Sequence, residues 1–322
     1  MSTQPHRIDV HHHILPPVYV DALSRIGQDR SGGVELPQWN LAAALALMDR
    51  QGIATAITSI SSPGVYFGDL AFARDLARRC NEFSAGLVQD YPHRFGALAL
   101  LPLPDIDAAL LEVEYALDTL KLDGVILQAS IGNQYLGDAA FDPVFAELNR
   151  RRSVVLLHPT TPPGSKVPDL NLPPFLVEFV FDTTRAIANL IYSGTLERYP
   201  DMAMIVAHAG GTVPYIAGRL AMAAELLPQL QEIAPQGAIA YLQRLYYDTA
   251  ISATSYTFCA LQALVEPTQI LFGSDYPYLS EELIADTVRG VNTYDGFDAP
   301  ALMNIERENC LKLFPRLFSS KT

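Results

Sequence analysis

The sequence predicts an α/β protein of the (β/α)8 barrel class. Three observations carry that prediction. Eight short apolar runs recur along the 322 residues. Helix-like segments separate them. Chemistry-bearing polar residues gather at the C-terminal ends of several runs, where barrels of this class keep their sites. The runs are near-continuous in apolar residues, as parallel strands are when helices cover both faces. A doubly wound sheet is the competing architecture, but no GxGxxG motif follows the first run.

In order, the runs are 7–13, 54–59, 95–101, 124–128, 153–158, 202–208, 245–249 and 270–275. Between them, apolar residues at helical spacing predict helices over 40–51, 69–91, 105–121, 138–152, 173–199, 213–230, 256–265 and 280–291, with a closing helix over 300–318. Asn40 and Asp105 stand where N-caps belong, and Gly52 ends the first helix. The segment 15–39 is rich in turn residues, including Gly32-Gly33, and is expected as an insertion covering the barrel mouth. The whole chain, 1–322, is expected to form a single domain.

Composition excludes several function classes. Hydrophobic residues make up 49% and charged residues 18%, enough for a large core and too apolar for a disordered chain. A net charge of −13 argues against a nucleic-acid partner. The three cysteines, Cys80, Cys259 and Cys310, are far apart and predict neither a disulfide framework nor a Cys-rich zinc site. No apolar stretch reaches the ~18 residues of a membrane span, and no signal peptide is expected. A cytoplasmic setting is expected.

The polar residues at the run ends narrow the chemistry. Run one ends in His11-His12-His13, run five in His158, run six in His208 and run eight in Asp275. Alternation along a strand puts His11 and His13 on one face, joined by Asp9, and His12 on the other. A lone histidine after a strand usually satisfies a loop, and Asp275 alone would read as a helix cap. Together, imidazoles and a carboxylate at one barrel mouth make a site for one divalent ion, zinc or manganese.

With those residues in place, the chain resembles the amidohydrolase-2 family, and within it the aminocarboxymuconate-semialdehyde decarboxylase group. The matching motifs run from Ile8 to Pro16, through Leu157-His158-Pro159, Ala207 to Gly211 with Gly218-Arg219, and Tyr247 to Ala250, to Phe272-Gly273-Ser274-Asp275-Tyr276-Pro277. The resemblance implies metal ligands at His11, His13, His158 and Asp275, and a catalytic His208. It also implies that Arg219 grips a substrate carboxylate, reaching into the neighbouring subunit of a homodimer. An Arg that the semialdehyde decarboxylases carry before Met48-Asp49 is absent here, where the chain reads Ala42-Ala43-Ala44-Leu45-Ala46-Leu47. That departure implies a less charged acid. Trp39 with its Ala/Leu-rich helix, and Ser61 to Gly68, look most like the 6-methylsalicylate decarboxylases of fungi.

The expected function is therefore metal-dependent, non-oxidative decarboxylation of a small aromatic hydroxy acid such as 6-methylsalicylate, giving 3-methylphenol and CO2. Trp39, Tyr66, Phe67 and Tyr278, with Tyr276, are expected around the ring, and either His208 or Asp275 as proton donor. Two rivals use the same residues. A hydrolase would open a lactone or amide with His208 as base, and a non-catalytic protein would only hold the metal. Many hydrolases of the wider superfamily bridge two metals through a carboxylated lysine at the end of strand four. Run four ends in Gln128, which favours a single metal.

Overall fold

The computed structural model describes residues 6–161 and 170–317. Eight parallel strands form one sheet, and their spatial order is their chain order. They are β1 (Arg7–His13), β2 (Ile53–Ser59), β3 (Phe95–Leu100), β4 (Gly124–Gln128), β5 (Val154–His158), β6 (Ala203–Val206), β7 (Tyr246–Asp248) and β8 (Ile270–Leu271). The sheet closes on itself. The backbone N–H of Val10 donates to the carbonyl of Phe272 at 3.0 Å, and that of Asp275 donates to the carbonyl of His11 at 2.8 Å. A further parallel bridge joins His12 to Tyr276. This is the (β/α)8 barrel.

Helices return the chain between strands: α1 (Pro17–Arg25), α2 (Leu41–Arg50), α3 (Leu70–Asp90), α4 (Ile106–Glu114), α5 (Asp142–Arg150), α6 (Pro174–Tyr192), α7 (Val213–Ala221), α8 (Ser255–Gln262) and α9 (Glu281–Thr293). Local chemistry sets their starts. The side chains of Asn40, Asp69 and Asp105 accept from the first free backbone N–H groups of α2, α3 and α4. Ser280 does the same for α9, so Asp275 is not a helix cap.

Several expected helices are shorter than their apolar pattern. The one expected over 173–199 breaks after Tyr192, where Gly194 takes a φ of 77°. That expected over 213–230 divides into 213–221, 223–226 and 228–233, with Pro228 opening the last piece. The closing segment is a continuous helical run over 299–313, π-helical at 304–308, and the end of the expected helix, at 318, lies outside the described residues. Periodicity reports which side faces the core but does not see these breaks.

The core fills the barrel and the strand–helix layer with Val10, Ile57, Val125, Leu156, Ile205, Tyr247 and Phe272, all sealed from solvent. Truncating such a side chain to alanine costs ~2–5 kcal/mol. This rigid wall fixes the strand ends. Residues 15–39 hold α1 and a small hairpin, Arg30–Ser31 with Val34–Glu35. The hairpin is tied to the mouth side: the Ser31 hydroxyl donates to the Ser62 carbonyl at 2.6 Å. Its turn lies against Pro174 at the start of α6. Among the described residues no helix is long and apolar enough to cross a membrane.

Candidate metal centre and its cavity

Four residues from three parts of the barrel bring their donor atoms to one point. His11, His13, His158 and Asp275 each offer an atom within 4.8 Å of the others', and all four side chains are buried. The Nε2 atoms of His11 and His13 are 2.9 Å apart. Asp275 Oδ1 lies 3.3 Å from the first and 3.2 Å from the second. The two histidines project together because they are alternate residues of β1, and His158 joins them as the last residue of β5.

Each imidazole is held by its other nitrogen. His11 Nδ1 meets Asp248 Oδ2 at 2.7 Å, His13 Nδ1 meets Ser59 Oγ at 3.0 Å, and His158 Nδ1 meets the Pro159 carbonyl at 2.7 Å. Such bonds place the proton on Nδ1 and leave Nε2 as the ligand atom. The donor set, three imidazole nitrogens and a carboxylate oxygen, fits a borderline divalent ion.

Electrostatics favour the neutral form at two of the three imidazoles. Burial holds His13 down to about 4 despite Asp275 beside it. Burial, with the rings of His13, His11 and His208 around it, keeps His158 well below its ordinary value. Burial would push Asp275 up, yet the imidazoles of His11 and His13 against it, with His208 nearby, outweigh that and hold the carboxyl well below the usual range. His11 goes the other way: burial lowers it, but Asp248 and Asp275 prevail and raise it to about 10. Two imidazolium rings cannot sit 2.9 Å apart without strong repulsion, so the pair shares one proton. A metal ion would displace that proton.

His208 stands beside the cluster. Its Nε2 is 3.7 Å from Asp275 Oδ2, and that nitrogen is buried with no hydrogen-bond partner among the described residues. It follows the end of β6 in an unusual turn, with positive φ at four successive residues from His208 to Gly211. Gly211 is required there, because a Cβ would meet the Val180 carbonyl oxygen at 2.2 Å. Asp275 also has a positive φ, of 59°. Strained backbone of this kind is held in place by the surrounding structure and gathers at functional sites.

Other residues singled out by the sequence are not part of this cluster. Asp9 does not point at the cluster. Its Oδ1 accepts from the backbone N–H groups of His11 and Ser274, and its Oδ2 from His12 and the Ser274 hydroxyl. His12 faces away and packs on Tyr276, with ring centroids 4.8 Å apart. Trp39 lies edge-on to Phe83 of α3. Arg219 is exposed on α7, with no ion-pair partner among the described residues.

Tyr66 and Phe67 line a cavity of about 290 Å³ with Leu100, Ile126, Gln128 and Thr160. Tyr278 is buried, 5.6 Å from the His13 ring, and burial pushes its phenol up to about 12. Asp248 is the residue that sequence reasoning missed. It lies within a quoted motif, at the C-terminal end of an apolar strand, and that position was the available signal.

The amidohydrolase family model matches residues 8–316. The chain belongs to this family. Its relatives in the family include the 6-methylsalicylic acid decarboxylase of Penicillium expansum, 37% identical over 317 residues, covering 97% of each chain. Among solved structures it is similar to an amidohydrolase II, with a TM-score of 0.90, 30% identity and coverage of 96% of this chain and 99% of that one. The fold is also that of the 5-carboxyvanillate decarboxylase of Novosphingobium aromaticivorans, crystallised with manganese and a nitrobenzoic acid. There the TM-score is 0.85 and identity 23%, with 98% and 99% of the two chains covered.

Proposed function

We propose that this chain is a metal-dependent, non-oxidative decarboxylase of a 2-hydroxybenzoate, with 6-methylsalicylate the first acid to test. The observation that carries the reading is the convergence of three imidazoles and one carboxylate at the mouth of the barrel. The full-length likeness to a 6-methylsalicylic acid decarboxylase supports it. His11, His13, His158 and Asp275 would hold one divalent ion, zinc or manganese, which would supply Lewis-acid polarisation of the bound acid.

The chain's own residues do the rest. Tyr66, Phe67 and Tyr278 exclude water and keep the ring in place. A proton must reach the ring carbon that bears the carboxyl group. It travels within the Asp275–His208 pair, whose facing atoms are 3.7 Å apart. The bond from that carbon to the carboxyl then breaks, its electron pair restores the aromatic ring, and CO2 leaves. Arg219, exposed on α7 beside the exposed side chains of Tyr215 and Met222, reaches a substrate carboxylate in a neighbouring copy of the chain.

The test is product analysis on metal-loaded protein. CO2 and 3-methylphenol from 6-methylsalicylate are expected. A metal-loaded preparation that leaves every hydroxybenzoate unchanged would overturn the reading. Addition of water to a lactone or amide without CO2 would replace it with hydrolysis. Metal analysis of the protein as isolated distinguishes zinc from manganese.

A further inference from the structure

Two of the candidate ligands are oriented by different means. His11 meets the Asp248 carboxylate directly, whereas His158 Nδ1 bonds to the Pro159 carbonyl at 2.7 Å. That carbonyl belongs to the Pro159–Thr160 peptide unit, and the N–H of the same unit donates to Asp182 Oδ2 at 3.0 Å. A trans peptide points its C=O and its N–H in opposite directions. His158, one peptide group and Asp182 therefore form a chain of two hydrogen bonds. A buried carboxylate stands behind His158 at one remove, as Asp248 stands directly behind His11.

Asp182 belongs to α6 and is sealed from solvent. One turn earlier, on the same helix face, Phe179 packs edge-on to the His158 ring with centroids 6.3 Å apart. The other Asp182 oxygen accepts from the Ser130 hydroxyl at 3.3 Å, in the short hairpin after β4. Tyr135 and Arg185 are its further polar neighbours. A backbone N–H and a hydroxyl need an acceptor but not a charge. Asparagine or serine would serve them without burying a carboxylate, which is costly. What the carboxylate adds is negative charge at the N–H end of the peptide. Hydrogen bonds in a chain polarise one another in a low-dielectric interior. The charge makes the Pro159 carbonyl a stronger acceptor for the His158 Nδ1 proton and Nε2 a better donor of its lone pair to an ion.

We propose that Asp182 is a positioning residue of the metal centre, acting on His158 through the Pro159–Thr160 peptide. This rests on the reading of His158 as a ligand and not on which reaction the centre performs.

The experiment uses the full chain, with zinc or cobalt alone as the probe. Asp182→Asn keeps the shape and an acceptor for the Thr160 N–H but removes the charge. Zinc affinity, read by competition with a chromogenic chelator, should fall about tenfold, while the melting temperature of the metal-free protein is not lowered. Asp182→Ser removes the charge with a smaller side chain and should weaken zinc at least as much. In cobalt-loaded protein each ligand imidazole has its own exchangeable Nδ1 proton resonance. Asp182→Asn should shift one of them, and not the one that Asp248→Asn shifts. Unchanged zinc affinity in both Asp182 variants overturns the proposal. So does an equal shift of every resonance, or a loss of affinity matched by a loss of metal-free stability, since either marks a general structural role. His158→Ala tests the underlying reading. If it binds zinc as tightly as wild type, His158 is no ligand and both readings fall. If it loses zinc while the Asp182 variants do not, this proposal alone fails. If zinc binds as described but no acid loses CO2, the decarboxylase reading fails and this one stands.

Discussion

Asp248 Oδ2 lies 2.7 Å from His11 Nδ1, and both side chains are sealed from solvent. The other oxygen of the same carboxylate accepts from the backbone N–H of His208 at 2.9 Å. One β7 side chain thus sets the orientation of a candidate ligand and the seat of a candidate proton carrier. Asp248→Asn keeps the shape but removes the charge that fixes the His11 proton on Nδ1. Metal affinity is expected to fall about 10–100-fold with little change in melting of the metal-free protein. Competition with a chromogenic chelator measures it, and an unchanged dissociation constant would exclude the orienting role.

Gly211→Ala examines the turn that presents His208. The new methyl would meet the Val180 carbonyl oxygen at 2.2 Å, and alanine is disfavoured at a φ of 65°. A loss of stability on the order of 2 kcal/mol is expected, with kcat reduced more than metal content. Thermal unfolding and metal analysis on one preparation separate the two effects.

Arg219 and His158 form a complementation pair. Arg219→Ala should lower kcat/KM by about 10–100-fold if its guanidinium holds a carboxylate. His158→Ala should lose metal and activity. If Arg219 acts across a two-fold interface, mixing and re-equilibrating the two variants restores one complete site in each hybrid dimer, about a quarter of wild-type activity. No recovery in confirmed hybrids would place Arg219 outside the partner's site.

Glu147 gives the pH dependence of the fold away from the metal centre. Hydrogen bonds from Arg150 and then Arg151, against the opposing effect of burial, hold its carboxyl down to about 2. Its ordinary value is 4.5, so the folded state has the lower pKa. The stabilisation is therefore present above about 4.5 and is lost as pH falls toward 2. Arg150 is well exposed and solvent screens the pair, so the worth is ~1 kcal/mol or less. Glu147→Gln should lower the melting temperature at pH 7. The gap from wild type should close as pH falls below 4.5. A gap independent of pH would show that the charge contributes nothing.

Much of the barrel was legible because each strand is an apolar run of the right length. His11, His13, His158, His208 and Asp275 stood out because they end such runs, and the resemblance singled out the four that cluster. What the sequence hides depends on which strands become neighbours. Asp248 matters because ring closure sets β7 within reach of β1. Asp9 turns from the cluster because Ser274, from the far end of the chain, presents two donors to it. Trp39 illustrates the opposite case: the segment before α2 was legible as an insertion, but which wall its indole packs on depended on Phe83 of α3. Helix breaks at Gly194 and Pro228 escaped because periodicity continues across them.

The Asp9–Ser274 link has a consequence for how the protein is made. It joins the strand synthesised first to the segment that follows the last. His11 and His13 leave the ribosome early, whereas Asp275 emerges when almost all of the chain has been translated. A nascent fragment that lacks Asp275 cannot hold the full donor set, so ion capture would wait for the segment after β8. Binding of an ion by all four residues would therefore mark a chain translated past Asp275.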